Sequence, residues 1–158
     1  MNDSKIRLCV TSDLPAVRAV IDATGLFPSE ALDDMISFEI SSDHTDEPRE
    51  FWLVYDDGDG AVAVAYSAPE RMTVGTWNAL LLAVHPEHQG QGIGALLMAY
   101  IETLLAARGG RVLLVETSGT ADFERTRSFY AHIGYEREAL IRDYYDAGDD
   151  KIVFRKAL

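Results

Sequence analysis

Of the residues a chain uses to staple itself or to grip a metal, this sequence has almost none: one cysteine in 158 residues. A lone Cys9 excludes an intrachain disulfide and a thiolate metal cluster. Within the apolar run IRLCV it reads as a small buried hydrophobe. Basic residues are scarce too, because 14 Lys and Arg against 26 Asp and Glu leave a formal net charge of −12. Nucleic acid is therefore not expected as a partner, since binding its phosphates needs a basic patch. No apolar run approaches the roughly 20 residues that a bilayer demands. The opening MNDSKIR has no secretory apolar segment. The expectation is a cytoplasmic protein with no membrane partner. Repeats, low-complexity tracts and long linkers are lacking as well, which leaves one domain over residues 1–158.

What is present is ordinary core material, 47% hydrophobic and 25% charged residues. A chain of this length buries a substantial core without staples. The acidity suits cationic substrates such as amines, and equally suits plain solubility or a salt-rich host. Three clusters (Asp43, Asp46, Glu47; Asp56, Asp57, Asp59; Asp146, Asp149, Asp150) read as solvated turns.

Ile6–Val10 reads as a strand. Thr11 or Ser12 then caps a helix with Pro15 in its first turn and Val17, Val20 and Ile21 on one face, ended by Gly25. A second helix starts near Ser29 and carries Leu32, Met35, Ile36 and Ile40. Asp43 to Glu50 is polar loop. Phe51–Tyr55 and Ala61–Tyr66 form a hairpin about DDGDG. Trp77–Val84 is nearly all apolar and so is expected at the centre of the sheet. Ile93, Leu96, Leu97, Tyr100, Ile101, Leu104 and Leu105 keep helical spacing up to Gly109-Gly110. A strand over Arg111–Glu116, a helix over Phe123–Ile133 stopped by Gly134, and strands over Tyr135–Arg142 and Lys151–Arg155 complete the order βααβββαβαββ. This is an α/β arrangement.

Between the central strand and the long helix lies HPEHQGQGIGALL, with Gly90, Gly92 and Gly94 inside five positions. A glycine-rich turn opening a helix presents backbone N–H groups without internal partners, reinforced by the helix dipole. That combination binds phosphate, and missing side chains let the phosphate come close. A nucleotide P-loop is excluded, because Ala95-Leu96 stands where Lys-Ser/Thr is required. The dinucleotide fingerprint G-x-G-x-x-A is matched by GQGIGA, with Glu116 downstream. Against it, HPEHQ separates strand from glycine, and too little chain follows Glu116 for a second βαβαβ half.

AVHPEHQGQGIGALL resembles the acetyl-CoA signature of the GNAT (Gcn5-related N-acetyltransferase) superfamily, Q/R-x-x-G-x-G/A between strand and helix, through Gln89, Gly92 and Gly94. RSFYAHIGYERE resembles the second signature of that family, through Phe129, Tyr130, Gly134 and Tyr135. The resemblance implies a mixed sheet splayed between its fourth and fifth strands, with acetyl-CoA as cosubstrate. Pyrophosphate is then expected on amides of Gln89, Gly90, Gln91, Gly92, Ile93, Gly94 and Ala95. Pantetheine would pair with the backbone of Leu82, Ala83 and Val84, and the N–H that polarises the thioester carbonyl lies on this strand.

By the same resemblance Tyr130 is the general acid for the leaving thiolate; read alone, it is an aromatic at helical core spacing. Glu116, closing RVLLVET, is a candidate base, or else a cap or salt-bridge partner. A base matters because a lysine-like amine is neutral in only about one molecule in 2,500 at pH 7. Phe27, Tyr144 and Tyr145 are candidates for the acceptor site, where the tyrosines and nearby carboxylates would hold an ammonium by charge and cation–π contact. His85 and His88 flank Pro86-Glu87, a loop pattern rather than a ligand set, so no metal is expected. His44 and His132 have no recognisable partner in the sequence. The implied reaction is acetyl transfer to a primary amine, of a small molecule or a protein, by direct attack in a ternary complex. The competing function is an acyl-CoA-binding module without turnover. Dimers are common in the resembled family, so a homodimer is compatible with the reading.

Overall fold

A computed structural model describes residues 5–41 and 50–158. The acidic cluster Asp43, Asp46 and Glu47, together with His44, lies outside the described residues, as does the side chain of Ile40. Among the described residues, seven strands and four helices follow in the expected order: β1 (Ile6–Leu8), α1 (Leu14–Thr24), α2 (Glu30–Ser41), β2 (Phe51–Asp56), β3 (Ala61–Pro69), β4 (Thr76–Val84), α3 (Ile93–Ala107), β5 (Val112–Ser118), α4 (Glu124–His132), β6 (Glu136–Asp146) and β7 (Asp149–Ala157). The strand order is β1-β2-β3-β4-β5-β7-β6, which puts the apolar β4 at the centre of a mixed sheet. No helix among the described residues is long and apolar enough to cross a membrane.

By contact density the chain falls into two compact units. The first holds residues 1–68 and 81–101, the second 69–80 and 102–158. In the first unit, Val17, Val20 and Ile21 of α1 and Leu32 and Ile36 of α2 pack with Trp52, Val54 and Val64 of the hairpin. The helical period that selects Leu32 and Ile36 also selected Met35. That residue lies on the edge of the stripe and is 39% exposed. Gly25 closes α1 in the left-handed region (φ 64°) and donates its N–H to the Ile21 carbonyl. Cys9 is buried, and burial pushes its thiol up to about 12, so it is an inert packing residue.

The start of α1 is organised by Asp13 rather than by a hydroxyl cap. Its carboxylate accepts both guanidinium nitrogens of Arg7 (2.7 and 2.8 Å) and the Val10 N–H (2.9 Å). Arg7 also reaches Asp56 at 2.8 Å, so one member of a supposed solvated cluster is a strut. The Arg7 hydrogen bonds hold the Asp13 carboxyl below its ordinary range, against the opposing effect of burial. Replacing Asp13 by Ala leaves the Val10 N–H and part of Arg7 unpaired, and is expected to cost about 2 kcal/mol in urea unfolding at pH 7. A lowered carboxylate stabilises the fold above its unfolded value of about 3.9 and loses that contribution as pH falls through the folded value. The wild-type advantage over D13A should therefore shrink below about pH 4.

In the second unit β4 and β5 run parallel, paired at four positions from Thr76↔Val112 to Ala79↔Val115. Both strands continue past that ladder, to Val84 and Ser118. β5 pairs antiparallel with β7 along its whole length, Val112↔Ala157 to Ser118↔Lys151. The final hairpin is longer than the sequence suggested. β6 runs to Asp146 and β7 begins at Asp149, so the connection is only Ala147-Gly148, with Gly148 at φ 80°. The register slips between Arg137 and Ala139, and again between Ile141 and Asp146. At the second slip Arg142–Tyr145 stand against the single residue Asp150. Asp143 adopts φ 53°, donates its N–H to Asp150 Oδ1 (2.9 Å), and accepts the Gly148 N–H (2.8 Å). Asp143 and Asp150 thus stitch a bulge, which a reading of strand alternation does not foresee. Every residue of β6 is exposed.

Candidate active site

In the first unit β4 delivers the chain into the glycine turn. His85 donates its N–H to Val62 O (2.9 Å), and Pro86–His88 form one 3-10 turn. The Gln89 side chain folds back to donate to Val84 O at 2.9 Å. The signature glutamine therefore braces the turn against the end of β4. Gly90 and Gly92 hold φ of 75° and 82°, the left-handed region that side chains resist. A Cβ built on either meets nothing within 4 Å. These two glycines are required by backbone conformation, and a Cβ at either would point into open space. Gly94 differs, lying in the first turn of α3, whose regular bonding begins with Leu96 N–H to Gly92 O at 3.0 Å. A strand end, an open amide-lined turn and a fifteen-residue helix behind it suit a diphosphate.

The two histidines are loop residues here. His85 Nδ1 accepts the Glu87 N–H at 3.3 Å, and His88 approaches Asp57 at 4.0 Å.

The second unit brings Glu116, Tyr144 and Tyr145 together and holds Tyr130 apart from them. Tyr130 of α4 is 6% exposed, with its ring 5.1 Å from Phe129, 5.7 Å from Tyr135 and 5.9 Å from Phe154. Burial pushes its phenol well above the ordinary range, so the proton stays on at neutral pH. Phe154 pairs with Val115, whereas Glu116 pairs with Val153. Alternation then puts Tyr130 on one face of the β5–β7 ladder and the Glu116 carboxylate on the other.

Glu116 is not alone. Lys151 of β7 sets Nζ 2.9 Å from Glu116 Oε2, and the same Nζ lies 3.9 Å from the Tyr144 ring centroid. The Lys151 side chain is 9% exposed and that of Glu116 26%. Desolvation would lower the lysine, but the hydrogen bonds to Glu116 and Tyr144 prevail and raise it, so the ammonium stays charged. Tyr145 lies close by. Burial first, and then the Glu116 charge, push its phenol up. The carboxylate and aromatic face that the sequence offered to an acceptor's ammonium thus hold the chain's own. In the sequence Lys151 reads only as the first residue of the last strand. The signal available was its strand parity with Val153, which places it on the Glu116 face.

Two further groups escaped the sequence reading. Tyr135 O–H donates to Glu102 Oε1 (2.9 Å), and Lys156 Nζ donates to Glu102 Oε2 (3.0 Å) and to Ile133 O (3.1 Å), which ties the end of α4 to α3 and β7. Arg127 donates to the carbonyls of Ser118 (2.9 Å) and Thr120 (2.7 Å), fixing the loop after β5. Phe27, the third acceptor candidate, packs on the hydrophobic core of the first unit.

Strand, glycine turn and helix, together with a mixed sheet that holds a parallel β4–β5 ladder, define an α/β architecture. The family can then be stated: a model described as an acetyltransferase (GNAT) domain matches residues 47–137, more than half of the chain, and the chain belongs to that family. A crystal structure of a GNAT-family acetyltransferase from Desulfovibrio desulfuricans is 30% identical and superposes with a TM-score of 0.88, covering 96% of this chain and 97% of that one. An aminoglycoside 6'-N-acetyltransferase solved with coenzyme A shares the fold at a TM-score of 0.78 and 17% identity, covering 96% of each chain. Among characterised sequences, a mycothiol acetyltransferase from Beutenbergia cavernae is 34% identical over 100 residues, 62% of this chain. The match covers 32% of that relative, so this chain spans about a third of the relative's length.

Proposed function

We propose that this protein transfers an acetyl group from acetyl-CoA to a primary amine by direct attack within a ternary complex. The observation that carries the proposal is the pair of left-handed glycines, Gly90 and Gly92, with open space where their side chains would stand. In this reading amides of Gln89 to Ala95 hold the pyrophosphate, and the backbone of Leu82, Ala83 and Val84 holds the pantetheine arm. Acetyl-CoA supplies an activated acyl group on a thiol leaving group.

The chain's own residues then have two proton tasks. The attacking amine must lose a proton, and Glu116 Oε1, the oxygen that Lys151 leaves free, accepts it directly or through one water. The departing thiolate must gain a proton, and the Tyr130 phenol, protonated at neutral pH as any phenol is, gives it.

The test incubates the protein with acetyl-CoA and a panel of amines, following free thiol and the mass of each amine. Amine-dependent thiol release matched by acetylated product is expected. Acetyl-CoA binding without acetylation of any amine would leave only a binding module. With a competent amine, Glu116→Gln should lower kcat by about 10²-fold. An unchanged kcat would remove Glu116 as the base.

A further inference from the structure

We infer that two copies of this chain pair through β6, antiparallel about a two-fold axis at Leu140. The inference concerns assembly and stands apart from the acetyl-transfer reading above.

β6 ends the strand order and pairs with β7 along one side only. All eleven of its residues are exposed, and Leu140, Ile141, Tyr144 and Tyr145 among them are large and apolar. A border of that kind templates pairing with another strand. Its charges select a second copy as the partner. Arg137, Glu138, Arg142 and Asp143 sum to zero, in a chain whose formal net charge is −12. Two such acidic chains repel each other, and a neutral stretch is where they meet at least cost. Among the described residues, Arg137, Glu138 and Arg142 have no ion-pair partner within the chain. Asp143 commits only Oδ1, which accepts the Gly148 N–H.

The order of these charges fixes the register. Antiparallel pairing about Leu140 sets Glu138 opposite the partner's Arg142, and Arg137 opposite the partner's Asp143. Symmetry repeats both pairs, so every one of these charges meets its opposite. Leu140 meets its own copy on the axis, and Ile141 meets the partner's Ala139. Neighbouring registers fail. With the axis between Ala139 and Leu140, Arg137 faces the partner's Arg142 and Glu136 faces the partner's Asp143. With the axis between Leu140 and Ile141, Glu138 faces the partner's Asp143. Parallel pairing in register sets each charge against itself. Opposite charges directly across a sheet stabilise it and like charges destabilise it. The slips in β6 leave Ala139–Ile141 as regular strand, so the main-chain ladder across the axis is short and the flanking charges select it. A two-fold pair spends both borders on each other, and assembly stops at two.

Sedimentation velocity of the full chain, from about 1 to about 300 μM, is expected to show monomer and dimer in exchange. One strand per copy makes a small interface, so the dissociation constant should be on the order of 10 μM. Arg142→Glu turns both Glu138–Arg142 pairs into like-charge pairs and should weaken the dimer by about 10-fold or more. Adding Glu138→Arg reverses the pairs and should restore wild-type affinity to within about threefold. Both side chains are exposed, so circular dichroism should be unchanged. Leu140→Cys reads the axis directly. Residues directly opposite have Cβ atoms about 4.5–5.5 Å apart, close enough for oxidised glutathione to drive a linked dimer. Ala139→Cys places its two copies diagonally, about 7–8 Å apart, and should link about 10-fold more slowly. Cys9 is buried and takes no part. A wild type that stays monomeric at about 300 μM would overturn the inference, as would oligomers that grow past two. An R142E protein that dimerises like the wild type, an E138R/R142E protein without rescue, or equal linking of the two cysteine variants would overturn the register.

Discussion

Gly92→Val is expected to abolish acetyl-CoA binding in calorimetry, with no heat detected at cofactor concentrations about 100-fold above the wild-type dissociation constant. Two effects act together. Gly92 holds φ 82°, where a β-branched residue is strained. Its Cβ would also project into space that no protein atom approaches within 4 Å, so the added methyls would obstruct the proposed phosphate cradle. The turn is exposed, so the fold should survive, with the circular dichroism spectrum unchanged and the unfolding midpoint lowered only modestly. Affinity equal to that of the wild type would refute the cradle. Ala in place of Gly92 should be milder, which separates strain from obstruction.

Tyr130→Phe should lower kcat by about 10²-fold while acetyl-CoA affinity stays within about twofold. Phe keeps the ring contacts with Phe129, Tyr135 and Phe154, so packing is preserved and only the hydroxyl is lost. The loss should be smaller for a thioester whose thiol is more acidic, because a better leaving group needs its proton less. Normal turnover, or a failure to bind cofactor, would remove Tyr130 from the acid role.

The element order could be read because each segment's apolar period matches one secondary structure: alternation and β-branching in the strands, three-to-four spacing in α1, α2 and α3. The glycine turn could be read because backbone chemistry leaves a compositional mark. Side-chain partnerships leave none. Nothing in the alternation of β6 announces that Arg142–Tyr145 buckle outward against Asp150, since the cause is a pair of aspartates that bond to distant N–H groups. The bulge in turn decides that Tyr144 covers Lys151. A one-residue error in register would have sent that lysine to the other face. Likewise, Asp13 and Asp56 look like solvated acids until the fold brings Arg7 between them.

The two slips in β6 have a consequence for how the molecule keeps company. β6 ends the strand order and carries Leu140 and Ile141 about half exposed, an apolar border that invites foreign strands. Between the slips only Ala139–Ile141 remain in uninterrupted register, with Glu136, Arg137 and Glu138 on one side and Arg142 and Asp143 on the other. Three residues are too few to template a growing sheet. The buckle that seats Tyr144 over Lys151 thus also blunts this border against fibril growth, and straightening it would put both at risk.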